Sequence, residues 1–128
     1  MDKGRYNFAW NYEERCATMF ESFLNIQKRE EFSDVTLVTD DDTLVKAHRI
    51  VLGACSPFFR NIFSKTNVRD LCLYLPGITC SDLESILDFM YNGQTEIPVD
   101  SLETFTKTAA QLRVKGLTSV EENENVQE

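Results

Sequence analysis

Residues 32–63, FSDVTLVTDDDTLVKAHRIVLGACSPFFRNIF, carry the pattern that decides the fold. Apolar and polar residues alternate through 32–39, the period of a half-buried strand. Asp40, Asp41 and Asp42 then turn the chain, because short acidic side chains hydrogen-bond to nearby backbone. Residues 43–47, TLVKA, read as the returning strand of a hairpin. Three aspartates in a row raise calcium, yet neither the loop glycine nor the closing glutamate of an EF-hand follows. Residues 48–55, HRIVLGAC, are a short and mostly apolar helix. Ser56 followed by Pro57 is a helix cap with proline at the first helical position, opening a second short helix over 58–63.

Towards the C-terminus, residues 71–75 (LCLYL) read as a third strand ended by Pro76 and Gly77. Ser81 and Glu84 are spaced as a capping box. Behind them Leu83, Ile86, Leu87 and Met90 recur at helical spacing until Gly93 stops the helix. Residues 94–97 form a short extended piece before Pro98. Asp100 and Glu103 make a second cap-like pair, ahead of Leu102, Phe105, Ala109 and Leu112 on one face. Gly116 punctuates before a last turn.

Towards the N-terminus, residues 12–29 read as a long helix. Its apolar residues Tyr12, Cys16, Met19, Phe20, Phe23, Leu24 and Ile26 cover an arc of roughly 160°, wider than a surface helix needs. Part of that arc can face the chain's own core. The rest is covered either by deeper burial in the same fold or by a second copy, and arc width alone favours neither. With a strand over 8–10 in front, the order becomes strand, long helix, hairpin, two short helices, strand, helix, short strand, helix. This is an α+β fold, a helix-rich cluster flanked by a small mixed sheet.

The chain has 128 residues, enough for one domain with a core of its own. Thirteen Lys plus Arg against twenty-one Asp plus Glu give a net charge of −8. That balance disfavours direct nucleic-acid binding, which rests on cations meeting phosphates, and an anionic membrane surface. No apolar stretch approaches the ~20 residues that cross a bilayer, and the first residues lack the apolar run of a secretory signal. Cys16, Cys55, Cys72 and Cys80 form no CxxC pair, and read as reduced, buried small apolar residues. With His48 the only histidine, no metal-ligand spacing arises and no cofactor is expected. A Cys-His nucleophile is disfavoured too, since Cys55 lies about two helical turns from His48. No phosphate-binding glycine loop occurs. His48 reads as a helix-start residue making local hydrogen bonds. Residues 121–128, EENENVQE, hold too little apolar surface to offset ordering and read as a tail or linker start. With enzymatic apparatus missing, the sequence points to association.

The runs Ser33-Asp34-Val35-Thr36-Leu37, Lys46-Ala47-His48-Arg49-Ile50-Val51-Leu52 and Ala54-Cys55-Ser56-Pro57-Phe58-Phe59 closely resemble the BTB/POZ domain. So do Leu87-Asp88-Phe89-Met90-Tyr91-Asn92-Gly93 and Leu112-Arg113-Val114-Lys115-Gly116-Leu117, in the family's order, so that the resemblance covers residues 6–118. Tyr6-Asn7-Phe8-Ala9-Trp10-Asn11 resembles the N-terminal extension of the arthropod tramtrack group, Phe-x-Leu-Arg-Trp-Asn-Asn. Ala9 stands where that pattern has Arg, and Tyr12 where it has the second Asn.

The resemblance implies a BTB/POZ fold in a domain-swapped homodimer, with an N-terminal extension at 1–11, the domain at 12–118 and an acidic tail at 119–128. The long helix packs against its counterpart, and the front strand pairs with the partner's strand near Gln94, Glu96 and Ile97. The interface then draws on Phe8, Trp10, Tyr12, Cys16, Met19, Phe20 and Phe23. Asp34 and Arg49 match a charged pair near the dimer seam of related domains. Family analogy adds multimers of dimers, partners among related BTB domains or co-regulator peptides, and a nuclear transcription or chromatin regulator whose DNA-binding module lies outside this chain. The alternative is a substrate adaptor for a cullin-based ubiquitin ligase. Against it, residues 63–70 (FSKTNVRD) lack the glutamate of the apolar-x-Glu motif such adaptors carry.

Overall fold

The computed structural model describes residues 3–117, so the acidic tail expected over 119–128 lies outside the described residues. The alternation in 32–39 becomes β1 (Val35–Val38), with Val35 and Leu37 buried. The aspartates turn the chain as expected. Thr39 Oγ1 donates to Asp41 Oδ1 at 2.5 Å, and the Asp42 N–H donates to the Thr39 carbonyl at 3.0 Å. Asp42 takes a φ of 61°, left-handed backbone that aspartate tolerates better than most residues. The chain returns as β2 (Leu44–Ala47), antiparallel to β1 with Val35 opposite Ala47. β3 (Leu71–Tyr74) pairs with the other edge of β1 in parallel, giving a mixed sheet in the order β2-β1-β3.

A parallel pair needs a crossover, which α2 (Arg49–Cys55) and α3 (Pro57–Phe63) supply. Ser56 separates them. Its Oγ accepts from the Phe59 N–H at 3.1 Å, capping α3, and donates to the Leu112 carbonyl at 2.6 Å. One hydroxyl thus starts a helix and ties it to the C-terminal end of the domain.

Helix α4 (Cys80–Asn92) starts before the expected capping box. Thr79 is the cap, accepting from the Asp82 N–H at 3.3 Å, while Ser81 is already helical. Thr79 has the extended backbone a cap requires. The hairpin turn helps: Asp41 Oδ1 accepts from the Cys80 N–H at 3.2 Å, satisfying another of the helix's first donors. Gly93 ends α4 at a φ of 86°, as its position predicts. The cap expected at Asp100–Glu103 does not form. Val99–Ser101 makes a 3₁₀ turn that runs directly into α5 (Leu102–Gln111), and Ser101 keeps helical backbone in place of a cap's extended one.

The buried apolar residues, among them Leu37, Leu52, Phe59, Ile78, Leu83, Ile86, Leu112 and Val114, run from Val35 to Val114. They form one core between the sheet and α2 to α5. His48 is buried at its edge and starts α2 as expected, its carbonyl accepting from the Leu52 N–H at 3.0 Å, but its N–H and ring bond at long range. Its N–H donates to the Tyr91 hydroxyl at 3.0 Å, and Nδ1 lies 2.7 Å from the same oxygen. Nε2 faces the Glu31 carbonyl, which can only accept. The ε-tautomer therefore satisfies every group: Nε2–H donates to Glu31, and the Tyr91 O–H donates to Nδ1. The cysteines also differ from expectation. Cys16, Cys55 and Cys80 are half-buried free thiols and Cys72 is exposed, because β3 is an edge strand whose alternate residues face outward.

Candidate protein-interaction surface

Ahead of the sheet comes α1 (Tyr12–Arg29), well made by its own chemistry. Asn11 accepts from the Glu14 N–H at 3.1 Å. Glu13 and Glu14 in the first turn and Lys28 and Arg29 in the last complement the helix dipole. Yet none of its 18 residues is buried. The inward part of the apolar arc is thinner than the sequence led us to expect: Phe23, Leu24 and Ile26 are only half-buried, where α1 packs on α4. Cys16 is half-buried, while Tyr12, Met19 and Phe20 are exposed, Phe20 by 58%. Ahead of the helix, residues 3–11 form no regular element, and Phe8 and Trp10 face solvent.

The structure brings Phe20 and Phe23 against two residues that sequence reasoning did not assign to the surface. Ile50, 79% exposed, and Ala54 project from α2 into the same cleft, with Met90 and Tyr91 of α4 behind them. The cleft holds about 260 Å³ and its walls are mostly apolar. The signal was present in HRIVLGAC. A short helix apolar all round is covered on both sides. Val51 and Leu52 take the inner side, leaving Ile50 and Ala54, one turn apart, on the outer one.

Gln94 and Glu96 are exposed and Ile97 is half-buried against the core. Together with Asp88 and Asn92, Gln94, Thr95 and Glu96 line a cleft of about 340 Å³. Among the described residues neither 8–10 nor 94–97 forms a strand or makes a backbone–backbone hydrogen bond. Both were expected as strands. A strand exists only with a ladder partner, and this single chain offers neither segment one.

Asp34 and Arg49 do meet. The Arg49 N–H donates to Asp34 Oδ1 at 2.8 Å, and Nε–H donates to the Asp34 carbonyl at 3.0 Å. The guanidinium also donates to the carbonyls of Val68 and Arg69 and lies 5.9 Å from the centre of the Phe63 ring. The carboxylate does work that His48, at the cap position of α2, leaves undone: it caps α2 from across the hairpin. The ion pair itself is long, 3.9 Å, with side chains 49% (Asp34) and 20% (Arg49) exposed.

The titratable groups nearby are tuned for structure. Burial holds the Tyr91 phenol far above its ordinary range and raises the Cys55 thiol, against a smaller opposing pull from Lys115. Both stay protonated at physiological pH. Among the described residues no helix is long and apolar enough to cross a membrane, and no group of three or more His, Cys, Asp or Glu side chains is placed to hold a metal ion.

The family model of the BTB/POZ domain matches residues 23–128. Protein abrupt of Drosophila melanogaster is 36% identical over 115 residues, which is 90% of this chain and 12% of that protein. The alpha isoform of protein tramtrack, from the same fly, is 36% identical over 124 residues, 96% of this chain and 15% of that one. The chain thus spans less than one-sixth of either relative. Among solved structures, the BTB domain of zebrafish PATZ1 superposes with a TM-score of 0.75 at 23% identity, over 87% of this chain and 91% of that chain.

Proposed function

The chain belongs to the BTB/POZ family, and from that premise we propose that it is a homodimerisation module, with residues 12–118 as the domain and 1–11 as an arm exchanged between copies. The observation that carries the proposal is α1, an 18-residue helix with aromatic side chains and no buried residue. Exposed apolar patches of this kind mark association surfaces, and obligate interfaces are large and apolar. In the dimer Tyr12, Cys16, Met19, Phe20 and Phe23 of α1 meet their counterparts, with Ile50 and Ala54 completing the patch. The segment at 8–10 takes the partner's 94–97 as its ladder, which gives both unpaired backbones a partner. Asp34 and Arg49 sit beside that seam.

The similarity to tramtrack and abrupt supports a place for the domain in nuclear transcription or chromatin regulators, joining DNA-binding modules outside this chain. Joining them raises avidity through effective concentration without DNA contacts here. Mass measurement in solution across concentration, with and without residues 1–11, tests the reading. A dimer at micromolar protein is expected, with any larger species lost on deletion of the arm. A folded single chain at those concentrations overturns it.

A further inference from the structure

Residues 43–69 contain Lys46, Arg49, Arg60, Lys65 and Arg69 and not one Asp or Glu, in a chain whose net charge is −8. The fold enlarges this acid-free region. The Lys115 N–H donates to the Cys55 carbonyl at 2.8 Å and Ser56 Oγ reaches the Leu112 carbonyl, so Arg113 and Lys115 are returned onto the α2–α3 junction. Arg113, with a left-handed φ of 51°, and Arg60 of α3 line one cleft of about 390 Å³ with Pro57, Asn61 and Ser64. An adjoining groove shares Arg60 and Ser64 and adds the ring of Phe63. Among the described residues the only ion pair is Arg49 with Asp34, so the guanidinium groups of Arg60 and Arg113 face no carboxylate. This cleft shares no residue with the one that holds Phe20 and Phe23, and the adjoining groove meets that one only at Ile50 and Ala54.

We propose that the Arg60–Arg113 cleft is a docking site for an acidic peptide segment of another protein, one that combines carboxylates with an apolar side chain. Charge complementarity carries the choice. Guanidinium is the group suited to paired recognition of carboxylate, Asn61 and Ser64 offer neutral hydrogen-bonding partners beside it, and Phe63 gives an apolar side chain a seat. A nucleic-acid duplex fits less well, because it needs many phosphate contacts along an extended surface and the rest of the chain is acidic. The chain's own Glu121, Glu122, Glu124 and Glu128 supply carboxylates but only Val126 as an apolar neighbour.

The test is fluorescence anisotropy of a short labelled peptide of alternating Asp, Glu and Leu, titrated with the full chain at low salt. Arg60→Glu or Arg113→Glu should each weaken binding about tenfold, and the pair together should abolish it. Arg60→Gln, a milder change at an exposed position, should weaken it less, and the equal charge reversal Lys107→Glu on α5 should change it less than about twofold. The proposal is overturned if the peptide fails to bind at about 100 µM protein, or if Lys107→Glu weakens it as much as Arg60→Glu. It is equally overturned if a DNA duplex of matched charge binds the cleft more tightly, or if replacing the four tail glutamates by Gln tightens peptide binding about tenfold, which would make the tail the occupant.

Discussion

Phe20→Ala separates association from folding. Phe20 is 58% exposed in the single chain. A phenylalanine side chain offers roughly 200 Å², so covering what remains outside removes roughly 115 Å² from water, worth about 3 kcal/mol. Alanine keeps a minor part of that area, so truncation loses about 2 kcal/mol per copy. A two-fold interface counts the change twice, and about 4 kcal/mol is about a thousandfold in the dimer dissociation constant. Sedimentation equilibrium over a wide concentration range reads that constant directly. The core excludes Phe20, so the variant should keep its far-ultraviolet dichroism, and its melting temperature should be lower than the wild type's and depend less on protein concentration, because less of it is dimeric at the same concentrations. Phe59→Ala is the contrasting control. Phe59 is fully buried and stacked on Phe63 at 5.7 Å, so its loss should cost ~3–5 kcal/mol and unfold the chain. An unchanged dimer constant in Phe20→Ala would refute the reasoning.

Three further outcomes are expected. Tyr91→Phe deletes the hydroxyl that serves both the N–H and Nδ1 of buried His48, and should lower stability in urea by about 2 kcal/mol; a change below about 0.5 kcal/mol would mean that water replaces the hydroxyl. Asp34→Ala should cost about 1 kcal/mol, because it removes the acceptor that caps α2 while the half-exposed ion pair adds little, and Asp34→Asn, which keeps an acceptor oxygen, should cost less; equal losses in the two would shift the weight from the cap to the charge. The Tyr74 hydroxyl donates to Asp40 Oδ1 at 2.8 Å, which holds the Asp40 carboxyl below its ordinary range and raises the phenol. The carboxylate's contribution is present above about pH 4 and fades as the pH falls through its lowered pKa, while the phenol's is present below about pH 10 and fades above its raised one. Asp40→Asn should therefore bring the alkaline titration of Tyr74, followed by NMR of its ring carbon, down towards the free value, and a titration that does not move would show that the hydrogen bond is not its cause.

What the sequence made legible was what local chemistry decides. The strand alternation, the aspartate turn, the Ser56–Pro57 cap and the Gly93 stop each depend on a few neighbouring residues, and each stands in the structure where the sequence put it. The failures share the opposite property. Ser81 lost the cap to Thr79 because the chain leaves its extended conformation two residues earlier. His48 bonds to Tyr91, 43 residues away, and no local pattern encodes so distant a partner. Cys72 is exposed because β3 lies at a sheet edge, a matter of strand order. Ile50 and Ala54 belong to the candidate surface only because α1 and α4 meet beside them. The width of the α1 arc was readable, but how little of that arc its own chain buries was not.

That last point bears on how the molecule is built. Among the described residues every fully buried apolar side chain lies between Val35 and Val114, so the core closes without help from α1 or the arm before it. The Ser56 bond to Leu112 and the Lys115 bond to Cys55 shut the core at its C-terminal end, and the His48 contact with the Glu31 carbonyl pins the segment where α1 leaves it. Helix α1 is therefore a layer laid over a finished core, held on one side by α4 through half-buried residues. Covering its outer side stabilises the layer more than the core beneath. If the proposed dimer covers that side, a change confined to Tyr12, Met19 or Phe20 should loosen α1 and release the second copy while β1, α2 and α4 hold. Hydrogen exchange resolves the two cases: in such a variant amides of residues 12–29 should lose protection while those of Leu83 to Leu87 keep theirs. Loss of protection in both regions together would show that core and layer unfold as one unit, and that association and folding are the same event.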